Sequence, residues 1–141
     1  MTGSPAGAGV KWWHYPSKAY AAMATPEGRE AFANVFKVFL DEKNYPVVFH
    51  CIGGADRTGT VAMLLEALLG VPEDELWRDY LTTGFVGGVS DAKHQQWFGS
   101  ALKKLKEYPG ATLADKAEAY FLKLGFTKDD VSRLRERLLE R

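Results

Sequence analysis

The 141-residue sequence contains a single cysteine, Cys51, and only three histidines. One cysteine excludes an internal disulfide and any metal site built from several cysteines. The histidines, His14, His50 and His94, are far apart in the chain, and no pair has the i, i+4 spacing typical of a helical zinc site. We therefore expect no metal centre.

The chain also lacks an excess of charge, since 18 Lys and Arg residues balance 18 Asp and Glu residues. This balance gives no general attraction to nucleic acid or to an anionic membrane, so neither is an expected partner and any anion site must be local. No apolar stretch approaches the length of a membrane span. Residues 1–9, MTGSPAGAG, have no signal-peptide features, and we interpret them as a flexible tail or a cloning remnant. We expect a cytoplasmic protein, or a secreted one if Met1 is not the native start.

Two short apolar segments favour β-strands. Val10–Tyr15 is aromatic and β-branched and ends at Pro16, while Val47–His50 in YPVVFHC has the character of a fully buried strand. Helical periodicity and end signals predict helices that begin at Thr25, Thr58 (to Leu69), Pro72 (to about Thr82), Asp91 (to Tyr108), Thr112 (to Leu124) and Thr127 (to Arg141). The Thr127…Asp130 start resembles a capping box.

These elements predict an α/β fold, with a small parallel sheet flanked by helices and a helical C-terminal half. Two parallel strands alone make a poorly stable sheet. Further strands must then come from misinterpreted segments or from a second subunit in a homo-oligomer, or the chain is a truncated or minimal version of a larger fold.

The segment HCIGGADRTGT, His50–Thr60, connects the second predicted strand to a predicted helix. A loop that enters a helix points several free backbone N–H groups at one spot, where the positive end of the helix dipole also acts. Gly53 and Gly54 let these groups converge on an anion, and Arg57 adds a planar fork suited to two phosphoryl oxygens. The same field would lower the pKa of the Cys51 thiol from about 8.5 into the range of roughly 3.5–7.5, making it a nucleophile for a bound phosphorus. The alternative is a buried cysteine that only packs as a small hydrophobic residue.

The motif HCIGGADRTG resembles the His-Cys-five residues-Arg-Ser/Thr signature of the cysteine-dependent protein tyrosine phosphatase superfamily. Its Asp-Arg-Thr-Gly ending is most similar to the bacterial tyrosine phosphatase branch, and a weaker resemblance extends over about Val10–Gly70. The resemblance implies a single phosphatase-like domain of residues 10–141 that hydrolyses phosphomonoesters without a metal or organic cofactor.

By position, the resemblance also implies a role for each residue of the motif. Cys51 would form a phosphocysteine intermediate, and Thr58 would hydrogen-bond the thiolate as it leaves in the second step. The phosphoryl oxygens would be bound by the backbone and side chain of a loop that comprises Ile52, Gly53, Gly54, Ala55, Asp56 and Arg57. His50 would hold the loop and tune the thiol, with a purely structural histidine as the alternative.

The resemblance leaves two carboxylates as candidates for the general acid. Many superfamily members carry an aspartate about thirty residues before the cysteine, but here that segment, YPSKAYAAMATPEG, has none. Glu27 is the nearest carboxylate, and it belongs to a predicted helix start. Asp56 is the better candidate, because the bacterial branch has an aspartate at this place that is proposed as the acid. The alternative is that Asp56 only caps the following helix or pairs with Arg57, which would lower its pKa.

The substrate prediction depends on the loop and its surroundings. The bacterial branch usually has a lysine just before the aspartate, which favours polyanionic lipid headgroups, whereas this chain has Ala55. Lys18, Tyr15 and Tyr20 could line the mouth of the site, with ordinary surface and core roles as the alternative.

The sequence thus predicts a hydrolase that acts through phosphocysteine on phosphotyrosine proteins or small aryl phosphomonoesters and releases inorganic phosphate. One alternative is a catalytically weak pseudophosphatase that binds phosphorylated ligands, and a second is an inositol phosphate or phosphoinositide phosphatase. A redox or arsenate-reducing thiol is disfavoured because the chain has no resolving cysteine.

Two helical segments have simpler interpretations. The amides of HQQWF, His94–Phe98, could position water, but an amphipathic helix is the favoured interpretation. SRLRERLLER near the C-terminal end is interpreted as a solvated charged face beside an apolar stripe of Val131, Leu134 and Leu138.

Overall fold

The computed structural model describes residues 18–85 and 92–139. Over these ranges the chain is helical and contains no β-strand, so the α/β prediction is wrong for the described part. The α-helices in chain order are α1 (Ala19–Ala22), α2 (Pro26–Leu40), α3 (Arg57–Leu68), α4 (Glu73–Leu81), α5 (Ala92–Lys106), α6 (Leu113–Lys123) and α7 (Lys128–Leu138). Short 3₁₀-helices occupy Glu42–Asn44 and Thr82–Phe85.

The helices predicted from periodicity are present because their end signals are used in the structure. The Thr25 hydroxyl accepts a hydrogen bond from the Gly28 N–H at 3.0 Å, and Pro26 occupies the first position of α2. The predicted capping box at Thr127 is confirmed, since Thr127 and Asp130 exchange side-chain-to-backbone hydrogen bonds of 3.1 and 2.9 Å. The start predicted at Asp91 lies outside the described residues.

The prediction of a buried strand at Val47–His50 is wrong. The segment has no regular secondary structure, and Val48 is 78% exposed, whereas Val47 and Phe49 are partly buried against the helical core. A strand needs a neighbour for its hydrogen-bonding ladder, and residues 18–85 and 92–139 offer none. The other predicted strand, Val10–Tyr15, lies outside the described residues, as does the segment 1–9 interpreted as a tail.

Helix α3 lies at the centre of the core. Its buried side chains face several directions and include Val61, Met63, Leu64, Leu65, Ala67 and Leu68. A helix that is apolar on most sides must be surrounded by other elements, which fixes its axis and its N-terminal end. Although α3 is apolar, no helix in the described ranges combines the length and hydrophobicity that a membrane span requires.

Aromatic side chains connect the other helices to this core. Phe36 of α2 lies 4.5 Å from Phe121 of α6, measured between ring centroids, and Phe32 meets Tyr120 edge-on at 6.4 Å. Tyr120 is fully buried, and its hydroxyl finds no hydrogen-bond partner in the described part of the chain. The core therefore contains one polar atom whose desolvation is not compensated.

Arginines of α7 bind the C-terminal ends of two other helices, so the predicted solvated face is wrong for them. The Arg135 Nε donates to the Leu68 carbonyl at the end of α3 at 3.0 Å. The Arg137 Nη1 donates to the carbonyls of Phe39 and Leu40 at the end of α2. The last carbonyls of a helix lack intrahelical partners and carry negative partial charge. An arginine side chain donates the missing hydrogen bonds and brings a positive charge to this end of the helix.

Helix α1 touches the backbone of α2 through a glycine. A Cβ added at Gly28 would lie 1.9 Å from the carbonyl oxygen of Ala22, a separation far below any real contact. Ala22 and Ala19 are completely buried at this junction. Only a residue without a side chain allows α1 to lie this close to α2.

A pair of acidic side chains connects α3 with α4. Glu66 of α3 faces Asp79 of α4, and the two carboxyl groups share a hydrogen bond. Burial, the negative charge of Asp79 and this hydrogen bond together raise the pKa of Glu66 to about 7. Glu66 therefore changes its protonation state near neutral pH.

Candidate active site

The loop between residues 51 and 56 leads directly into α3, whose first residue is Arg57. Gly54 has a φ of +72°, a left-handed conformation that glycine adopts without strain. The Ile52 side chain is 97% exposed, whereas Ala55 is buried against the protein. The loop thus turns its backbone, and not its side chains, toward the cysteine.

The Cys51 thiol is half-buried and receives hydrogen bonds from several donors. The Thr58 hydroxyl donates to the Cys51 Sγ at 3.0 Å, and the backbone N–H groups of Gly54 and Thr58 also point at the sulfur. Burial acts to raise the pKa of Cys51, but these hydrogen bonds and the charge of Arg57 outweigh it and hold the pKa below the ordinary value. The site therefore favours a thiolate, the form of cysteine that acts as a nucleophile.

Arg57 lies at the start of α3 with its guanidinium near both Cys51 and Asp56. None of the ion pairs or side-chain hydrogen bonds found among the described residues uses this guanidinium. Its planar fork is thus available for the oxygens of an incoming phosphoryl group.

His50 contacts the loop backbone. Its Nδ1 lies 3.2 Å from the carbonyl oxygen of Cys51, a distance at which a protonated Nδ1 donates a hydrogen bond. This histidine therefore lies against the main chain at the start of the loop.

Asp56 precedes α3 but does not cap it. Its side chain makes no capping hydrogen bond to α3, and its Oδ2 accepts the backbone N–H of Ala19, the first residue of α1, at 3.2 Å. No ion pair joins it to Arg57 among the described side chains. Both structural alternatives predicted for Asp56 are therefore absent from this part of the chain.

The pKa of Asp56 lies above its ordinary value. Burial of the carboxyl is the largest cause, and it outweighs the opposite effects of the Ala19 N–H and of the charges on Lys18, Arg57 and His94. A carboxyl that keeps its proton to higher pH is better suited to donate it to a leaving oxygen.

Sequence reasoning missed the surroundings of Asp56. Lys18 precedes α1, and its Nζ lies 3.9 Å from the ring centroid of Trp97 on α5. His94 meets the same ring edge-on at 4.9 Å, with Lys93 Nζ at 5.1 Å. The sequence offers Lys18 as a residue of the site mouth, but no signal in it connects Lys18 to α5.

The other candidates lie in ordinary surroundings. Glu27 is exposed in the first turn of α2, and Tyr20 packs partly buried against the core. Tyr15 lies outside the described residues. The segment His94–Phe98 belongs to α5 with Phe98 buried, as expected for an amphipathic helix.

No group of three or more metal-binding side chains occurs in the ranges that the structure describes. The chemistry available at the loop is that of a thiolate, one guanidinium, a carboxyl and converging backbone N–H groups.

A comparison with known protein families fits this geometry. The model of a family described as the tyrosine phosphatase family matches residues 7–140. The chain belongs to the tyrosine phosphatase family. The family resemblance drawn from the HCIGGADRTG motif is thereby confirmed.

Two curated relatives carry related names. A tyrosine-protein phosphatase of Nostoc commune is 28% identical to this chain over an alignment of 128 residues. The alignment covers 76% of this chain and 44% of the Nostoc protein. A Cupriavidus necator protein, provisionally named a tyrosine-protein phosphatase, is 45% identical over 53 residues, or 38% of this chain and 19% of its own. The chain thus spans less than half the length of both relatives. No solved structure matches it significantly.

Proposed function

We propose that this family member hydrolyses phosphomonoesters through a phosphocysteine intermediate, with phosphotyrosine or similar aryl phosphates as substrates. The observation that carries the proposal is the hydrogen bond from Thr58 to the Cys51 Sγ at 3.0 Å, reinforced by the N–H groups of Gly54 and Thr58. A buried cysteine that serves only packing needs no such set of donors.

In the first step, the phosphoryl oxygens bind the loop N–H groups and the Arg57 fork. The Cys51 thiolate attacks phosphorus, so that an S–P bond forms while the P–O bond to the leaving group breaks. The Asp56 carboxyl gives its proton to the leaving oxygen, which departs as an alcohol or phenol.

In the second step, the Asp56 carboxylate takes a proton from water as the water oxygen attacks phosphorus. The S–P bond breaks, inorganic phosphate is released, and the Thr58 hydroxyl stabilises the departing thiolate. Asp56 thereby regains its proton, and the cycle consumes one water molecule per ester.

The loop offers one cation, Arg57, and the Ala55 side chain beside it is buried. A single guanidinium matches one phosphoryl group, which favours a phosphomonoester over a headgroup with several phosphates. The loop itself thus favours a phosphomonoester over a phosphoinositide, while Lys18 beside Asp56 adds a second positive charge near the site.

The experiment measures hydrolysis of p-nitrophenyl phosphate in the presence of a chelator, from about pH 4.5 to about pH 8, the range in which a perturbed carboxyl and a thiol titrate. Cys51→Ser is expected to abolish turnover, and Asp56→Asn is expected to lower kcat about 10²–10⁴-fold. Asp74→Asn on the exposed side of α4 is the matched control for the charge change at Asp56.

Binding of orthovanadate, measured by calorimetry, completes the test. If the wild type binds vanadate but releases no nitrophenol at any pH, the catalytic proposal is wrong and the loop is a phosphate-binding site only. If Cys51→Ser retains full activity, the phosphocysteine route is wrong.

A further inference from the structure

Helix α1 has only four residues, and nothing in its own sequence holds it in place. Isolated helices shorter than about 12–15 residues are marginal in water, and the N-cap residue of α1, Lys18, makes no side-chain capping hydrogen bond. The helix persists because Ala19, Ala22 and Met23 are almost completely buried against neighbouring helices.

The position of α1 depends on Gly28. Because an added Cβ at Gly28 would lie 1.9 Å from the Ala22 carbonyl oxygen, any side chain there must push the two backbones apart. The Ala22 carbonyl belongs to the backbone and cannot rotate away as the end of a flexible side chain can.

The first N–H of α1 has no acceptor within its own helix, as in every helix. In this structure the Ala19 N–H is donated to the Asp56 Oδ2 at 3.2 Å. The carboxyl next to the cysteine loop is therefore oriented by α1 and not by the helix that it precedes.

We infer that α1 positions the Asp56 carboxyl for proton transfer, and that Gly28 is the positioning residue that lets α1 reach it. The inference rests on the proposed function, in which Asp56 is the general acid. Ala19 acts through its backbone N–H, and Gly28 acts by allowing the close contact between α1 and α2.

The size of the displacement decides whether Gly28 matters. An alanine at this position must move the Ala22 carbonyl by about 1.5 Å, from 1.9 Å to the 3.4 Å at which ordinary contacts begin. A misplacement of about 1 Å at a reacting group can cost about 10²-fold in rate. Within residues 18–85 and 92–139, the hydrogen bond from Ala19 to Asp56 is the only one that joins the Cys51 loop to α1, so phosphate binding should survive.

The charged groups around Asp56, which come from several helices, all lower its pKa. Lys18 before α1, Arg57 of α3 and His94 of α5 all favour the carboxylate, as does the Ala19 N–H, while burial opposes them. Removing the Ala19 N–H alone should therefore raise the pKa of Asp56, and activity should fall at a higher pH than in the wild type.

Two variants test the inference, one on α1 itself and one on α2, against which α1 packs. Ala19→Pro removes the N–H at the first helical position, where proline is tolerated, and Lys18 has the extended conformation that a following proline requires (φ −63°, ψ 150°). Gly28→Ala displaces α1 and leaves its sequence unchanged. Gly99→Ala on α5 is the matched control, because its added Cβ would meet Trp77 at an ordinary 3.6 Å.

The measurement is kcat/KM for a series of aryl phosphates whose leaving phenols range from acidic to weakly acidic. A missing or misplaced acid slows substrates with poor leaving groups most, whereas a partly unfolded protein loses the same factor for every substrate. We expect Ala19→Pro and Gly28→Ala to lose about 10–100-fold on the poorest leaving group and only a few-fold on the best. Gly99→Ala should retain the wild-type dependence, and all three variants should bind orthovanadate as the wild type does.

The outcomes separate this inference from the proposed function. If Asp56→Asn shows a steep dependence on the leaving group but both α1 variants keep the wild-type dependence, the positioning role is overturned while Asp56 remains the acid. If Asp56→Asn itself keeps the wild-type dependence, the acid role fails and the positioning role fails with it. Either variant decides alone if the other does not fold, since each breaks the contact from a different helix.

Discussion

The Thr58 hydroxyl lies 3.0 Å from the Cys51 Sγ and donates a hydrogen bond to it, although the two residues are seven positions apart. The first turn of α3 brings the hydroxyl under the sulfur, because Thr58 follows directly after Arg57 at the start of the helix. The contact stabilises negative charge on the Cys51 sulfur.

Replacing Thr58 with valine should raise the pKa of the Cys51 thiol, since the side-chain hydrogen bond that lowers it is lost. The dependence of alkylation by iodoacetamide on pH measures this change. We also expect about 10²-fold slower breakdown of the intermediate, visible as a burst of nitrophenol in rapid mixing. Thr58→Ser keeps the donor and should behave like the wild type. An unchanged thiol pKa in Thr58→Val would contradict the role of the contact.

The Glu66–Asp79 pair predicts a pH dependence of stability. The pKa of Glu66 is raised in the folded protein from 4.5 to about 7, so the folded state holds the proton more tightly than the unfolded chain. The stabilisation from this proton is fully present below pH 4.5 and is lost as the pH rises through about 7.

Glu66→Gln removes this titration, so its stability relative to the wild type should increase between pH 5 and pH 8. Urea unfolding at the two pH values measures the difference. Glu30→Gln, on the exposed side of α2, is the control and should keep the wild-type pH dependence. If the difference in unfolding free energy between Glu66→Gln and the wild type is the same at both pH values, the Glu66–Asp79 pair does not titrate in this range.

The buried Tyr120 hydroxyl predicts a stabilising substitution. Phenylalanine keeps the ring and its contact with Phe32 but removes a polar atom that has no partner among the described residues. We expect Tyr120→Phe to increase the free energy of unfolding by about 1 kcal/mol, as measured by urea unfolding. Tyr108→Phe at the partly buried neighbouring ring should change stability by less than about 0.5 kcal/mol. A loss of stability in Tyr120→Phe would mean that the hydroxyl is paired in solution.

The contact between α7 and α2 predicts that a substitution of Arg137 lowers the free energy of unfolding. Arg137 donates to the Leu40 carbonyl and pairs with Glu42 at 2.7 Å, and its side chain is only 18% exposed. We expect Arg137→Ala to cost about 1–2 kcal/mol in thermal or urea unfolding. Arg133→Ala is the matched control on the same helix, because Arg133 pairs only with residues of α7 and should cost about 0.5 kcal/mol or less. Equal losses of unfolding free energy in both variants would show that the contact of Arg137 with the end of α2 does not contribute to stability.

The helices could be predicted from sequence because their signals are local. Thr25, Thr127 and the apolar periodicity of α2 lie within the elements they define, and the structure uses them as expected. The HCIGGADRTG motif is equally local, since a loop and the helix it enters bring Cys51 and Thr58 together without help from distant parts of the chain.

The remaining features depend on partners that are distant in sequence. An apolar extended segment such as Val47–His50 does not reveal whether another strand lies beside it, and in the described ranges none does. Helix α1 has neither a cap from its own N-cap residue nor a recognisable period, and it is fixed by the contact with Gly28 and by the distant Asp56 carboxylate. The same limit applies to Arg135 and Arg137, whose acceptors lie 67 and 97 positions away.

Those two separations have a kinetic consequence. Closing a loop of about 70–100 residues carries an entropy cost that local helix formation does not, so the docking of α7 onto α2 and α3 should come late in folding. Contacts that form after the transition state affect the unfolding rate more than the folding rate. Loss of the contacts that Arg135 and Arg137 make with the ends of α3 and α2 should therefore shorten the lifetime of the folded protein, and with it that of the cysteine loop at the other end of α3, more than it slows folding.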